Sequence, residues 1–418
     1  MVGQPVNGLR DLMRPPLVSV VIPTHNRAAV LRDALDSVYA QEGLGRDFEL
    51  EVIVVDDAST DSTPNLISQY SATKYIRLPT NRGASAARNA GIKASGGTYV
   101  ALLDDDDVWL PHRLRVQLPV MEETPSIGVV YGQNLLQGDM FDQTWPDASR
   151  APSGSVFRAF LLEDFIAVGS LLIRRSVFEQ AGYFDENLMT QEHYEMCLRL
   201  AFHVPFRFLP GPVYIQRFSR HGKWFSNVQA GGFERSLPQV IEKALAVLPD
   251  TPQSAGLRAE ARAALVCRVV DSMSLTGDFA RMRDPFLAAI ECSPDLIGQP
   301  FLRRAVRTVT RHLPLAPEPP STAARRLASD ILAAGRRHGR ARSAELRSLL
   351  SVLWMEAANI CGTEPNRSDF AAAQAAAHAV AYDPRHLAHA ITWRYLVRGL
   401  FPGPRWDNVF ALRRLTRR

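Results

Sequence analysis

Cysteine is scarce and long apolar runs are missing. Four cysteines among 418 residues (Cys197, Cys267, Cys292 and Cys361) lie far apart and form no Cys-x-x-Cys pair. That scatter argues against a disulfide scaffold and a thiolate zinc site, and suits a reducing compartment. Apolar runs are short, such as Val52–Val55, and the greasier stretch Ala159–Ile173 is broken by Glu163 and Asp164. Nothing approaches the roughly 20 apolar residues of a membrane-spanning helix. Residues 1–16, MVGQPVNGLRDLMRPP, hold no apolar core of the kind a secretory leader needs, so a cytoplasmic protein is expected. No GxxxxGK[ST] loop occurs, which disfavours nucleotide binding of the P-loop kind.

What is present is ordinary globular composition, 46% hydrophobic and 22% charged, which excludes a mostly disordered or collagen-like chain. The net charge of +5 hides an asymmetry. From Ile241 onward there are 26 basic and 16 acidic residues, leaving 22 basic and 27 acidic before it. Two units with different tasks are expected: an acidic one able to hold a cation, and a basic one facing an anionic surface or simply solvated.

From Leu17 the chain alternates strand and helix. Val18–Ile22 and Glu51–Val55 read as strands buried on both faces. Arg27–Gln41 carries Val30, Leu31, Leu35 and Val38 at helical spacing. Asp61–Tyr70 reads as a helix capped by Ser59 or Asp61. Tyr75–Leu78 and Tyr99–Leu103 read as strands, and Ala84–Ala94 as an Ala-rich helix. This alternation predicts an open, mainly parallel α/β sheet, in which ligands sit beyond the carboxyl ends of the strands. Regularity weakens after Gly128–Tyr131. Beyond it, Ser170–Ile173 reads as a strand, with helices at Arg175–Ala181 and Glu192–Phe202. Three regions follow: an arm over 1–16, an α/β domain over 17–235 and an all-α domain over 236–418. The helical domain has a Pro-rich break at 313–321 and an expected helical pair at Phe370–Tyr382 and His386–Leu400.

Three clusters carry chemistry. LLDDDDVW places Asp104, Asp105, Asp106 and Asp107 directly after a buried strand. Four adjacent carboxylates repel one another unless a divalent cation offsets them. Mg²⁺ and Mn²⁺ accept carboxylate oxygens together with substrate phosphates. Asp104 and Asp106, two apart on a turn, suit one metal–diphosphate. VIVVDDASTDST places Asp57 where a nucleobase imide or ribose hydroxyl would meet it, with Asp61 as the helix cap. NRGASAARNAGI offers small residues for close approach and Arg82 and Arg88 as phosphate donors, or else close helix packing.

Together SVVIPTHNR, VIVVDDASTDST, NRGASAARNAGI and LLDDDDVWLP, in this order, resemble family 2 glycosyltransferases of the GT-A fold. The resemblance covers Leu17 to Phe225 and implies inverting sugar transfer from a nucleotide-diphosphate donor with Mg²⁺ or Mn²⁺. It implies that Pro23, His25 and Asp57 line the nucleobase pocket, that Asp104 and Asp105 lie near ribose and diphosphate, and that Asp106 is a direct metal ligand. His221, with Arg217 and Arg220 nearby, is a further metal or diphosphate candidate. In TQEHYEMCLRLA the family's Glu-Asp pair reads Glu192-His193, so His193 stands where the family's catalytic Asp is expected. A histidine accepts a proton near neutrality, and Glu192 is the alternative base. No QxxRW-type motif is present, against a processive synthase.

The expected acceptor is a glycan or lipid-linked hydroxyl in polysaccharide biosynthesis, with no nucleic-acid partner. Arg303, Arg304, Arg307, Arg311, Arg394, Arg398 and the terminal arginines, with Trp393, Tyr395, Phe401 and Trp406, suggest either a peripheral contact with an anionic membrane or a solvated accessory domain. The competing readings are an inactive sugar-nucleotide-binding protein and a non-P-loop nucleotidyltransferase.

Overall fold

The structure, a computed structural model, describes residues 15–138, 142–219, 222–274, 300–311, 320–337, 344–363 and 375–379, and a few single positions between them. Its contacts divide the chain into two units, Met1–Asn227 with Gln239–Val247, and Val228–Pro238 with Leu248–Arg418.

The first unit is built on a nine-stranded sheet of order β3-β2-β1-β4-β8-β6-β9-β5, with β7 beside β6. Strands β1 (Leu17–Thr24), β2 (Glu49–Asp56), β3 (Thr73–Arg77) and β4 (Tyr99–Leu102) form its parallel half. Alternation along them feeds two faces. Val18, Val20 and Ile22 pack with Leu31, Leu35 and Val38 of α1 (Ala28–Tyr39). Ile53 and Val55 pack on the other face with Ala87 of α3 (Ala84–Ala94). Each such side chain is fully buried, and burying one of the valines, leucines or isoleucines contributes about 1.5–3 kcal/mol. Helix α3 lies very close to the sheet. A Cβ on Gly91 would stand 2.3 Å from Val21 Cγ1 and 3.1 Å from Val55 Cγ2. The helix expected over Asp61–Tyr70 is shorter, α2 at Thr63–Ile67. Its N-cap is Ser62 rather than Ser59 or Asp61, and Asp61, one residue earlier, accepts the Thr63 N–H on its Oδ1 at 3.0 Å.

The other half of the sheet is mixed, which corrects the expectation of a mainly parallel sheet. Strand β8 (Leu172–Arg174) runs antiparallel to β4 and to β6 (Val129–Gly138). Strand β6 is parallel to β9 (Phe206–Phe218) and antiparallel to β7 (Asp142–Trp145). Strand β5 (Val108–Trp109) pairs with β9 antiparallel. Ser170–Ile173 is not one strand: a 3-10 turn at Val168–Ser170 precedes β8. Helices α4 (Arg113–Glu123), α5 (Phe157–Leu162), α6 (Val177–Ala181), α7 (Glu192–His203) and α8 (Lys223–Gln229) complete this unit.

From α9 (Gly232–Ala246), which runs across the boundary between the units, every described element is a helix. In the second unit α10 (Pro252–Ser274) packs on α11 (Pro300–Arg311), and α11 and α12 (Pro320–Arg337) both pack on α13 (Ala344–Thr363). Pro320 opens α12, so the end of the Pro-rich break is a helix start; proline suits a first turn, where no N–H is needed. The expected pair Phe370–Tyr382 and His386–Leu400 lies outside the described residues except for a helical 375–379 and Tyr382. The arginines from Arg394 onward, and the side chains of Arg303 and Arg304, lie outside them too. Arg307 and Arg311 both approach Glu356, at 3.7 and 3.6 Å. No helix among the described residues is long and apolar enough to cross a membrane.

Candidate active site

Because β1, β2 and β4 are parallel, their carboxyl ends share one edge, and the sequence motifs meet there. Thr24 at the end of β1 donates to Asp105 Oδ2 at 2.7 Å. Arg27, three residues on, places Nη1 3.0 Å from Asp105 Oδ1 and 2.6 Å from Asp106 Oδ2. The turn after β4 closes with the Asp107 N–H donating to the Asp104 carbonyl at 3.1 Å. It turns Asp105 and Asp107 inward, at 5% and 3% exposure. The Asp104 and Asp106 side chains stay 31% and 39% exposed.

Negative charge is undercompensated in this turn. Burial pushes the Asp105 carboxyl up to about 6, with Asp106 adding to the rise and Arg27 opposing it. Burial also raises Asp106, against the pull of Arg27, and holds Asp107 well above the ordinary carboxylate range. Asp107 Oδ1 accepts the Arg217 N–H at 2.9 Å, which fastens the turn to β9. Among the described residues no three histidine, cysteine or acidic side chains converge as a ready-made cage for a metal. His221 and Arg220 lie outside the described residues.

The Asp57 carboxylate is buried and accepts the Arg82 and Gly83 N–H groups, each at 2.7 Å. It pins the segment that enters α3. Gly83 holds a left-handed φ of 88°, which costs glycine least of all residues. Asp57 thus has a structural task alongside the ligand-facing one expected of it. His25 donates from Nδ1 to the Asp57 carbonyl at 2.6 Å, and its Nε2 lies 3.1 Å from the Asn26 amide. Pro23 is buried within β1.

The two arginines expected to reach phosphate are engaged differently. Arg82 pairs with Glu186 at 2.6 Å and is half-exposed. Arg88 is buried, with Nη2 2.6 Å from Asp104 Oδ1 and Nη1 3.1 Å from Glu192 Oε1. Burial alone would lower its pKa, but the two carboxylates together raise it, so Arg88 is a fixed cation. In this structure it positions Asp104 and Glu192, and both nitrogens that phosphate would need are taken.

Glu192 and His193 open α7. The preceding Gln191 has a left-handed φ of 64°, a sharp turn before the helix. Glu192 faces Arg88, whereas His193 Nε2 lies 3.2 Å from Asp164 Oδ2. Burial works against a charged imidazole here, but the Asp164 hydrogen bond and charge, with Glu192 adding, outweigh it and raise the His193 pKa. Arg88 pulls the other way.

Arg27 and Asp164 are the two residues that sequence reasoning passed over. Arg27 stands inside the SVVIPTHNR motif, and its position one turn past a strand end was a usable signal. Asp164 was visible only as an acid interrupting an apolar stretch.

Three comparisons bear on this arrangement. Residues 19–182 match the family model described as glycosyl transferase family 2. An uncharacterized glycosyltransferase of Rickettsia prowazekii is 31% identical over 189 residues, 44% of this chain and 58% of that protein. An uncharacterized protein of Mycobacterium bovis is 32% identical over 220 residues, 50% of this chain and 61% of that protein. The chain therefore spans about three fifths of the length of these relatives. Among solved structures, S. aureus TarS 1–349 in complex with UDP-GlcNAc superposes with a TM-score of 0.52 at 18% identity, covering 80% of this chain and 90% of that one. That likeness is one of fold, a mixed α/β sheet of GT-A type with helices following it. The segment that matches the glycosyl transferase family 2 model runs from β1 to the residue after α6 and holds every strand-end carboxylate described above.

Proposed function

We propose that the chain is a metal-dependent inverting glycosyltransferase that moves a sugar from a nucleotide-diphosphate donor to a hydroxyl acceptor. The observation that carries this reading is the array of carboxylates at the shared edge of β1, β2 and β4, inside the family-matched segment. Nucleobase and ribose would lie against Pro23, His25 and Asp57, and the diphosphate near Asp104–Asp106. UDP-GlcNAc bound to TarS, a protein of like fold, supports a donor of this class.

The donor set fits Mg²⁺ or Mn²⁺. Asp104 and Asp106 are the two acids of the turn that reach solvent, they are hard oxygen donors, and burial holds Asp106 above its ordinary pKa. Such ions take one or two carboxylates plus substrate phosphates. When bound there, the ion would supply charge stabilisation for the departing diphosphate. Glycan or lipid-linked acceptors, a role in polysaccharide biosynthesis and peripheral membrane contact through the basic helices belong to the same proposal.

His193 is the residue we assign to the acceptor. The acceptor oxygen's lone pair forms the new bond to the anomeric carbon as the bond from that carbon to the diphosphate oxygen breaks. The acceptor proton passes to the neutral His193 ring. Glu192 is the weaker candidate, because it faces Arg88. A thermal-shift panel of nucleotide sugars with and without Mn²⁺ tests the donor half, since a ligand that binds only the folded state raises its melting temperature. One nucleotide sugar should raise it in a Mn²⁺-dependent way, and release of its nucleoside diphosphate should follow when acceptor is added. No shift with any nucleotide sugar would overturn the reading.

A further inference from the structure

Where a family 2 enzyme is expected to present a carboxylate, this chain presents an imidazole, and a carboxylate stands behind that imidazole. Asp164 follows α5 and is held from both sides. Phe160 and Phe165 stack at 4.2 Å between ring centroids, and Phe165 also meets Tyr131 at 5.9 Å. The Asp164 side chain is 21% exposed, and its Oδ2 lies 3.2 Å from His193 Nε2. A carboxylate accepts, so Nε2 must carry the proton. That leaves the lone pair of the neutral ring on Nδ1, which has no hydrogen-bond partner among the described residues. The His193 side chain remains 28% exposed, enough for a small group to reach it. The other charges that act on the ring are Glu192 and Arg88, and these are bonded to each other. Cys197, one turn along α7, is buried as a thiol, since burial raises its pKa well above the ordinary value.

We infer that Asp164 is a positioning residue that fixes His193 as the Nε2–H tautomer and so presents Nδ1 as the proton acceptor. The inference rests on the proposed transfer reaction, in which His193 takes the acceptor proton. It goes further by naming the atom that takes it and the residue that holds the ring. The physics is that of any imidazole base backed by an acid: the acid selects the tautomer and stabilises the imidazolium that forms. Asp164 itself touches neither donor nor acceptor.

The test is histidine ¹⁵N NMR on the full chain, with the His193 signal assigned by its loss in His193→Gln. It needs no donor or acceptor. In the wild type His193 should titrate as the Nε2–H tautomer. In Asp164→Asn its midpoint should fall by about one pH unit, the lower range for loss of a nearby opposite charge. A neutral wild-type ring found as the Nδ1–H tautomer overturns the inference whether or not any variant folds. An unmoved midpoint in a folded Asp164→Asn overturns it too.

The kinetic arm separates this inference from the reading beneath it. Asp164→Asn should lower kcat roughly 10-fold or more, a part of what general-base catalysis contributes, with donor KM unchanged and the rising pH limb moved to lower pH. Asp164→Glu should recover part of that loss. Normal transfer by His193→Gln would end the base reading even if the spectra show the pairing intact. Spectra that show no pairing, with His193→Gln inactive, would end the role of Asp164 while leaving His193 as the base.

Discussion

The two halves of the first unit solve the problem of placing charge in different ways. The half built on β1–β4 is regular, and its charges gather in loops that directly follow parallel strands, where they are only partly compensated. Arg27 serves Asp105 and Asp106, and the Arg82 and Gly83 N–H groups serve Asp57. The half built on β6, β8 and β9 is irregular, and its proposed base depends on a partner from another element: His193 of α7 leans on Asp164, beyond α5. One half is a platform whose chemistry comes from strand ends, and the other an assembly whose chemistry comes from packing. Donor binding should therefore respond to single substitutions at strand ends, and proton transfer to substitutions that move helices.

The largest expected effect is on the platform side. Asp106→Ala should abolish metal-dependent donor binding while the protein still folds, measured by titrating nucleotide sugar with and without Mn²⁺. Undiminished turnover of this variant in the presence of chelator would break the comparison. Next is the assembly side. His193→Ala should cost at least ~10²-fold in transfer, the lower end for a general base, with donor affinity intact. Should Glu192→Gln prove dead while His193→Ala is active, the proton goes to Glu192 and the division is drawn at the wrong residue.

Arg88 joins the two halves, and Arg88→Met should reveal it. Removing one partner of a buried ion pair costs several kcal/mol; Asp104 and Glu192 are partly exposed, so about 2–3 kcal/mol is expected, read by urea unfolding. Asp57→Asn keeps the shape but loses the charge that receives two N–H groups. It should cost about 1–3 kcal/mol, divided between stability and donor affinity if Asp57 both holds the loop and meets the donor as proposed. A loss confined to donor affinity would show that the loop stands without it.

The smallest effect is one of pH. The raised His193 pKa means that the folded state favours the protonated ring. The stability this adds is fully present below the ordinary histidine value and is lost as pH rises through the raised one. Transfer should rise over that same window, because only the neutral ring accepts a proton. Wild type and His193→Gln, melted across that range, should converge at the alkaline end.

The platform was far more legible in the sequence than the assembly. Val18–Ile22 and Glu51–Val55 lie within β1 and β2, and Ala84–Ala94 coincides with α3, because β-branched runs and an Ala-rich stretch leave one local solution. Strand β9 was hidden by its own FLPGPVY, which reads as a turn; the strand survives there because its pairing with β6 shifts register between Gly132 and Asn134. The site divided in the same way. Asp57 and the Asp104–Asp107 run stand at strand ends, where a short motif reports them. The contact of His193 with Asp164 spans 29 residues and that of Arg27 with Asp105 spans 78, and no local pattern encodes such a pairing. The doubt over Arg82 and Arg88 had the same origin: the motif shows two donors, and only the fold shows that carboxylates already hold them.

Gly91 lies on the sheet side of α3, three residues beyond Arg88, and its missing methyl sets how low that helix rides. The helix behaves as a beam whose resting height fixes the guanidinium it carries. Gly91→Ala would have to raise the beam or displace Val21, because the new carbon would start 2.3 Å from a methyl that has nowhere to go. The tolerance of the proposed site is thereby set on its underside, at a position packed against the sheet. A screen for lost activity should find Gly91 among its hits, with every chemical group still in place and the span from Arg88 to Asp104 and Glu192 stretched.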